Sequence, residues 1–116
     1  GGLAAAHGIH NALSVLPRSH HALHGEKVAF GLLASLFLTG RRPQVIEETY
    51  KLFSLLRLPT TFAGLGMGDV APEELLQVGE ASCLPGNNIY HEPVTISPTS
   101  VRDALLMADY HGRSLK

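Results

Sequence analysis

Cysteine is nearly absent from this chain of 116 residues: Cys83 stands alone, which excludes an internal disulfide and fits a reducing compartment. Charge is scarce too, at 16% of residues against 45% apolar, a balance that excludes disorder and requires much buried surface. Nine basic and ten acidic residues leave a net charge of −1, and no basic cluster exceeds the pair Arg41-Arg42. A nucleic acid or an anionic membrane would therefore meet no electrostatic footprint. Long apolar runs are missing as well. The longest uncharged one, Val28 to Leu38, is too short to cross a bilayer. No basic region opens the chain, so no secretory signal is read and a cytoplasmic location is expected. The length suits one domain, residues 1–116.

What remains is mostly helix. Five segments are predicted: about Leu3 to Leu16, His20 to Thr39, Pro43 to Leu58, Pro72 to Leu84, and a last one from Pro98 with Ser97 as cap. Residues 60–65 suit a short turn, and 84–96 read as an irregular loop long enough to suspect a partner contact. No strand series appears, so the predicted class is all-α. Charges are missing altogether from 1–17 and from 28–40. Surface helices normally carry a charged face, so these two read as interior helices that need covering, by the other helices or by a surface outside the chain. Together with the uncapped Gly1-Gly2 start, this leans toward a piece of something larger.

Histidine is the residue in excess. Five of the seven lie between His7 and His24. His7, His10, Asn11 and Ser14 share one helical face at i, i+3, i+4 and i+7, a polar stripe without Glu, Lys or Arg. Spacing alone favours core polar groups satisfied by neighbouring carbonyls over a ligand site. His20, His21 and His24 follow, with His21 and His24 one turn apart and Gly25 leaving room for a close approach. A helical hairpin turning at Pro17 would bring His7 and His24 to one point, a common start for a zinc or iron site. There is no H-E-x-x-H for a zinc protease and no G-x-S-x-G elbow for a serine hydrolase. Cys83 has no evident base beside it and reads as a small hydrophobe. Gly31, Ala34 and Ser35 suit close helix contact, Glu26 and Lys27 a cap or local ion pair, and His91 and His111 exposed positions.

The runs Ala4-Ala5-Ala6-His7-Gly8-Ile9-His10-Asn11, His20-His21 and His24-Gly25-Glu26-Lys27-Val28-Ala29-Phe30-Gly31 resemble those of the glycerol dehydrogenases, in the iron-containing alcohol dehydrogenase superfamily. The likeness continues through Leu58-Pro59, Leu65-Gly66 and the helix from Pro98 to Asp109, so it covers essentially the whole chain. It implies the helical C-terminal domain of a two-domain enzyme that oxidises a small polyol, such as glycerol. An N-terminal NAD-binding domain, absent here, would cover the uncharged helices. The resemblance makes His7 and His24 two ligands of a divalent metal, usually zinc, with iron or manganese as alternatives. The third ligand would be an upstream aspartate without a counterpart in this chain. No glycine-rich fingerprint for NAD is present either. His10 becomes a candidate for substrate orientation or proton relay, and Asn11 for orienting a ligand histidine. The resemblance further implies a homo-oligomer and a chain that is inactive by itself. Two departures stand out: Gly8 where alanine is common, and Tyr90-His91-Glu92-Pro93 where H-N-E-P or H-N-M-P is frequent.

Two other readings compete. One is a free-standing helical module that binds metal or dimerises through apolar helices. The other is a lyase like dehydroquinate synthase, which shares the shorter H-G-E-x-V pattern.

Overall fold

The computed structural model describes residues 2–84 and 96–115, with side chains from Gly8 onward. Helix α1 runs Gly2–Leu13, α2 His24–Leu38, α3 Pro43–Leu55, α4 Pro72–Ser82 and α5 Pro98–Arg113; 3-10 turns occupy Pro17–His21 and Ala63–Leu65. The described residues contain no strand, so the all-α expectation holds. Most of the predicted loop at 84–96, with His91 and the Tyr90 to Pro93 run, lies outside them. None of the helices described is long and apolar enough to cross a membrane.

Helix α1 packs on α2, α2 on α5, α5 on α4 and α4 back on α1, so four helices enclose one core while α3 lies against α2. Each contributes its apolar face. Ile9 and Leu13, Phe30 and Leu33, Leu75 and Val78, and Val101 and Leu105 are all fully buried. On α5 the buried set is Val101, Ala104, Leu105 and Ala108, the face expected from the helical period. Past its first turn α2 is uncharged and packs mostly against this chain's own helices: Ala29, Phe30, Leu33, Ala34 and Leu36 are buried, as are Gly31 and Ser35. Val28 stays exposed and Leu32, Phe37 and Leu38 are half-buried, so the chain's own helices cover most of residues 28–40 but not all of them.

Local chemistry sets the helix ends. Gly40, at φ 68, closes α2 while the Arg41 N–H reaches the Leu36 carbonyl at 2.9 Å. Helix α3 ends in the same way at Arg57, φ 59, with the Leu58 N–H on the Phe53 carbonyl at 2.9 Å. Leu58 precedes Pro59, and that pairing biases it away from helical backbone. Ser97 caps α5 by accepting from the Ser100 N–H.

Two differences from the sequence reading matter for the site. Helix α1 stops at Leu13, and residues 14–16 continue it only by i→i+3 bonds. Helix α2 starts at His24 instead of His20, because Ala22 and Leu23 hold extended backbone after the 3-10 turn that Pro17 opens. His21 and His24 therefore do not share one helix face.

Tyr50, fully buried on α3, donates its hydroxyl to the Ala108 carbonyl at 2.7 Å and ties α3 to α5. Its burial, with the Asp109 carboxylate nearby, pushes its ionisation well above the usual phenol range. His111 is half-buried against the Tyr50 ring at 4.5 Å and beside Glu47 at 2.9 Å, which corrects its expected exposure. The aromatic contacts, not the sequence neighbours, hold it in.

Glycine matters most at Gly79 and Gly112. A Cβ at Gly79 would collide with the Pro98 carbonyl, and one at Gly112 with the Thr60 carbonyl. Because both obstacles are backbone, Gly79→Ala and Gly112→Ala should each cost about 1–3 kcal/mol in urea denaturation. Gly25→Ala meets nothing within 4 Å and should not destabilise.

Candidate metal centre

The candidate site lies where α1 meets the first turn of α2. His10, on α1, is 5% exposed, and its ring stands edge-on to that of His24, with centroids 4.9 Å apart and planes at 84°. His24 is the first residue of α2 and is exposed. His7 lies on α1 one turn before His10, and its side chain falls outside the described residues. The expected meeting of His7 and His24 therefore has its second member placed, with His10 beside it.

The first turn of α2 is fixed by Glu26. Its Oε1 accepts the Leu23 N–H at 2.9 Å, satisfying one of the orphan donors that begin a helix. Glu26 thus acts as the cap of the two roles expected for it. Lys27 is 9% exposed and donates from Nζ to Ser14 Oγ at 3.4 Å, reaching across to the end of α1. That end is electronegative because its last carbonyls lack helical partners, and an ammonium suits it. His20 reaches the same place, its Nε2 lying 3.3 Å from the Ser14 carbonyl. Gly25 has open space around it, so among the described residues nothing makes the close approach expected there.

The 3-10 turn between the helices is anchored by Arg18. Its guanidinium pairs with Asp69 and, through Nε, with Glu74 at 3.0 Å, joining the histidine-bearing turn to the start of α4. Glu74 also caps α4 by accepting the Ala71 N–H at 3.0 Å. Sequence reasoning gives Arg18 no role. A signal exists all the same: it is the sole Asp, Glu, Lys or Arg among the first 25 residues.

The polar stripe on α1 is not uniformly interior, as the sequence suggested. His10 is buried, whereas Asn11 and Ser14 are exposed. Cys83, the half-buried residue at the end of α4, is a free thiol that burial pushes above its usual ionisation range, as suits a small hydrophobe.

Chemically, the corner offers imidazole nitrogens from two adjacent helices, the donor type that zinc and iron take most readily. Among the described residues no three His, Cys, Asp or Glu come together. The imidazoles at this corner are of the right donor type for such a metal, and any set that held one would need donors beyond the described residues.

No family model matches the chain. Similar proteins are nonetheless plain. The glycerol dehydrogenase of Thermotoga maritima is 48% identical over 116 residues, all of this chain and 32% of that protein. A glycolaldehyde reductase of Halobacterium salinarum is 42% identical, again over all of this chain and 32% of its own length. The crystal structure of a probable glycerol dehydrogenase from Sinorhizobium meliloti 1021 superposes with a TM-score of 0.90 at 48% identity, covering 96% of this chain and 32% of that one. These relatives are oxidoreductases by name, and the all-helical fold is that of the matching part of the Sinorhizobium meliloti structure. The chain belongs to the glycerol dehydrogenase family and spans about a third of the length of the relatives it matches.

Because His24 sits in the turn that Glu26 caps, removing the cap should loosen the site. Glu26→Ala is expected to lower stability by about 1 kcal/mol in thermal denaturation, while Glu26→Gln, which keeps an acceptor oxygen, should lose less.

Proposed function

We propose that this chain is the metal-ligating helical part of an NAD-dependent polyol dehydrogenase, oxidising a secondary alcohol to a ketone as in glycerol to dihydroxyacetone. The observation that carries this reading is the edge-on packing of His10 on His24 where α1 meets α2. It occurs in a chain 48% identical to a glycerol dehydrogenase.

His7 and His24 are the residues we assign to the metal, zinc in the first instance, with iron or manganese as alternatives. Each would offer a neutral imidazole nitrogen, and an aspartate outside this chain would complete the set. A divalent ion bound there would supply Lewis acidity that lowers the pKa of the substrate hydroxyl. NAD would be held by residues outside this chain. His10 is the residue we assign to orienting the substrate or relaying a proton, and its buried ring, packed edge-on against His24, limits how that imidazole can rotate. The first turn of α2, fixed by Glu26, restrains His24 from the other side.

On this reading the chain by itself is inactive, and the complete enzyme is a cytoplasmic homo-oligomer. The names of the relatives, glycerol dehydrogenase and glycolaldehyde reductase, favour a dehydrogenase over a lyase of the dehydroquinate synthase kind.

Metal analysis and kinetics of the full-length enzyme test the assignment together. His7→Ala and His24→Ala should each cut kcat/KM for glycerol at least about 100-fold and lower bound zinc. His10→Ala should keep the metal and reduce kcat. Full zinc content and undiminished glycerol oxidation after His24→Ala would end the assignment.

A further inference from the structure

Among the described residues Lys27 is the sole Asp, Glu, Lys or Arg in the buried interior, at 9% exposure. An ammonium taken out of water loses hydration that hydrogen bonds or opposite charge must replace. Among the described residues no carboxylate pairs with it. Its partner is Ser14 Oγ at 3.4 Å, at the electronegative end of α1. Ser14 is held in turn: its N–H bonds the Asn11 carbonyl at 3.2 Å, and its own carbonyl lies 3.3 Å from His20 Nε2. The Lys27 N–H closes on the Leu23 carbonyl at 3.1 Å, so Lys27 belongs to the same turn as His24.

Two side-chain contacts thus cross the seam between α1 and α2: His24 meets His10, and Lys27 meets Ser14. His24 opens α2 beside the last turn of α1, so the extensive packing of α2 on α1 requires α2 to run back along it. Between helices of opposite sense, a residue farther along the second normally meets one earlier on the first. These contacts do the reverse, because a helical side chain leans toward the N-terminus of its own helix and the lysine stem is long. At 1.5 Å per residue, four residues separate the contacts by about 6 Å on the α1 side and three by about 4.5 Å on α2. The two contacts therefore act as crossed diagonals. Sliding α2 along α1 in either direction must stretch one of them.

We propose that Lys27 is a positioning residue of the metal centre: its buried ammonium, held on Ser14, fixes the register of α2 against α1 and with it the distance from His24 to the α1 histidines. This role rests on the assignment of His7 and His24 to the metal. Register matters there because a Zn–N bond is about 2.0–2.1 Å long, and a slip of about 0.5 Å between the helices takes one imidazole off that geometry. The charge of Lys27 is not what a metal would select, since a cation beside a divalent ion repels it. What Lys27 offers is a long apolar stem lying along the seam and a donor head that grips the neighbouring helix.

Zinc affinity, measured by competition with a chelator, and the melting temperature of the zinc-free protein test this on the full-length enzyme. Lys27→Met keeps the stem, removes the ammonium and should weaken zinc binding about tenfold. The zinc-free variant should melt no lower than wild type, since an apolar side chain replaces a buried ion that lacks a carboxylate. Loss of the positive charge alone would tighten zinc binding, so a weakening reports geometry. Ser14→Val, at an exposed position, keeps the charge but removes its acceptor, and zinc binding should weaken in the same direction. Where Lys27→Met does not fold, Ser14→Val decides. Wild-type or tighter zinc binding in the deciding variant would overturn the proposal. A weakening in Lys27→Met matched by a lower zinc-free melting temperature would overturn it too, leaving Lys27 a stability residue only. His24→Ala, run alongside, separates the two levels. If it retains zinc, the metal assignment has failed; if it loses zinc while the deciding variant does not, only the role of Lys27 has.

Discussion

Everything in this molecule is arranged around a helix that has nowhere to be but inside. Past its first turn α2 carries no Asp, Glu, Lys or Arg, and it presents Phe30, Leu33, Ala34 and Leu36 to its surroundings on several sides. Exposing such a helix would forgo roughly 1.5–3 kcal/mol for each large apolar side chain. Helices α1, α3 and α5 therefore pack against it, and α4 closes the ring between α1 and α5. Gly31, Ala34 and Ser35 are buried along with them.

The site inherits its geometry from that enclosure. Helix α2 is fixed along its length by the core, so its first residue, His24, stands at a defined place on the rim. Helix α1 is fixed against it by Ile9 and Leu13, which places His10 edge-on to His24. The connection between the two helices is held separately. Arg18 joins it to Asp69 and Glu74, and Lys27 and His20 reach the end of α1 at Ser14. A polar corner is thus built on rigid elements instead of on a free loop, which is what precise ligand placement needs.

Much of this is legible in the residues alone. Pro43, Pro72 and Pro98 mark helix starts because proline suits the first turn, and Gly40 marks a stop because it can take positive φ. The inward face of α5 follows from its period. The misreadings share a cause. The residue pattern starts the second helix at His20, leaves open what covers 28–40, and leaves His111 exposed. Each of these points depends on contacts between distant residues or on the turn before α2. Glu26 and the extended Leu23 set where α2 begins, α1 and α5 cover it, and Tyr50 and Phe37 enclose His111.

By itself the sequence determined the helical class, most helix boundaries and the concentration of histidines near the first two helices. These depend on local backbone preference and on periodicity, which act over a few residues. Only the tertiary structure decided that His10 packs on His24, that Lys27 is buried against Ser14, and that Arg18 ties the turn to α4. It alone decided that Gly79 and Gly112 sit against backbone carbonyls. The physical reason is that burial and close approach are properties of pairs of surfaces, and a linear pattern specifies each surface without saying which other surface it will meet.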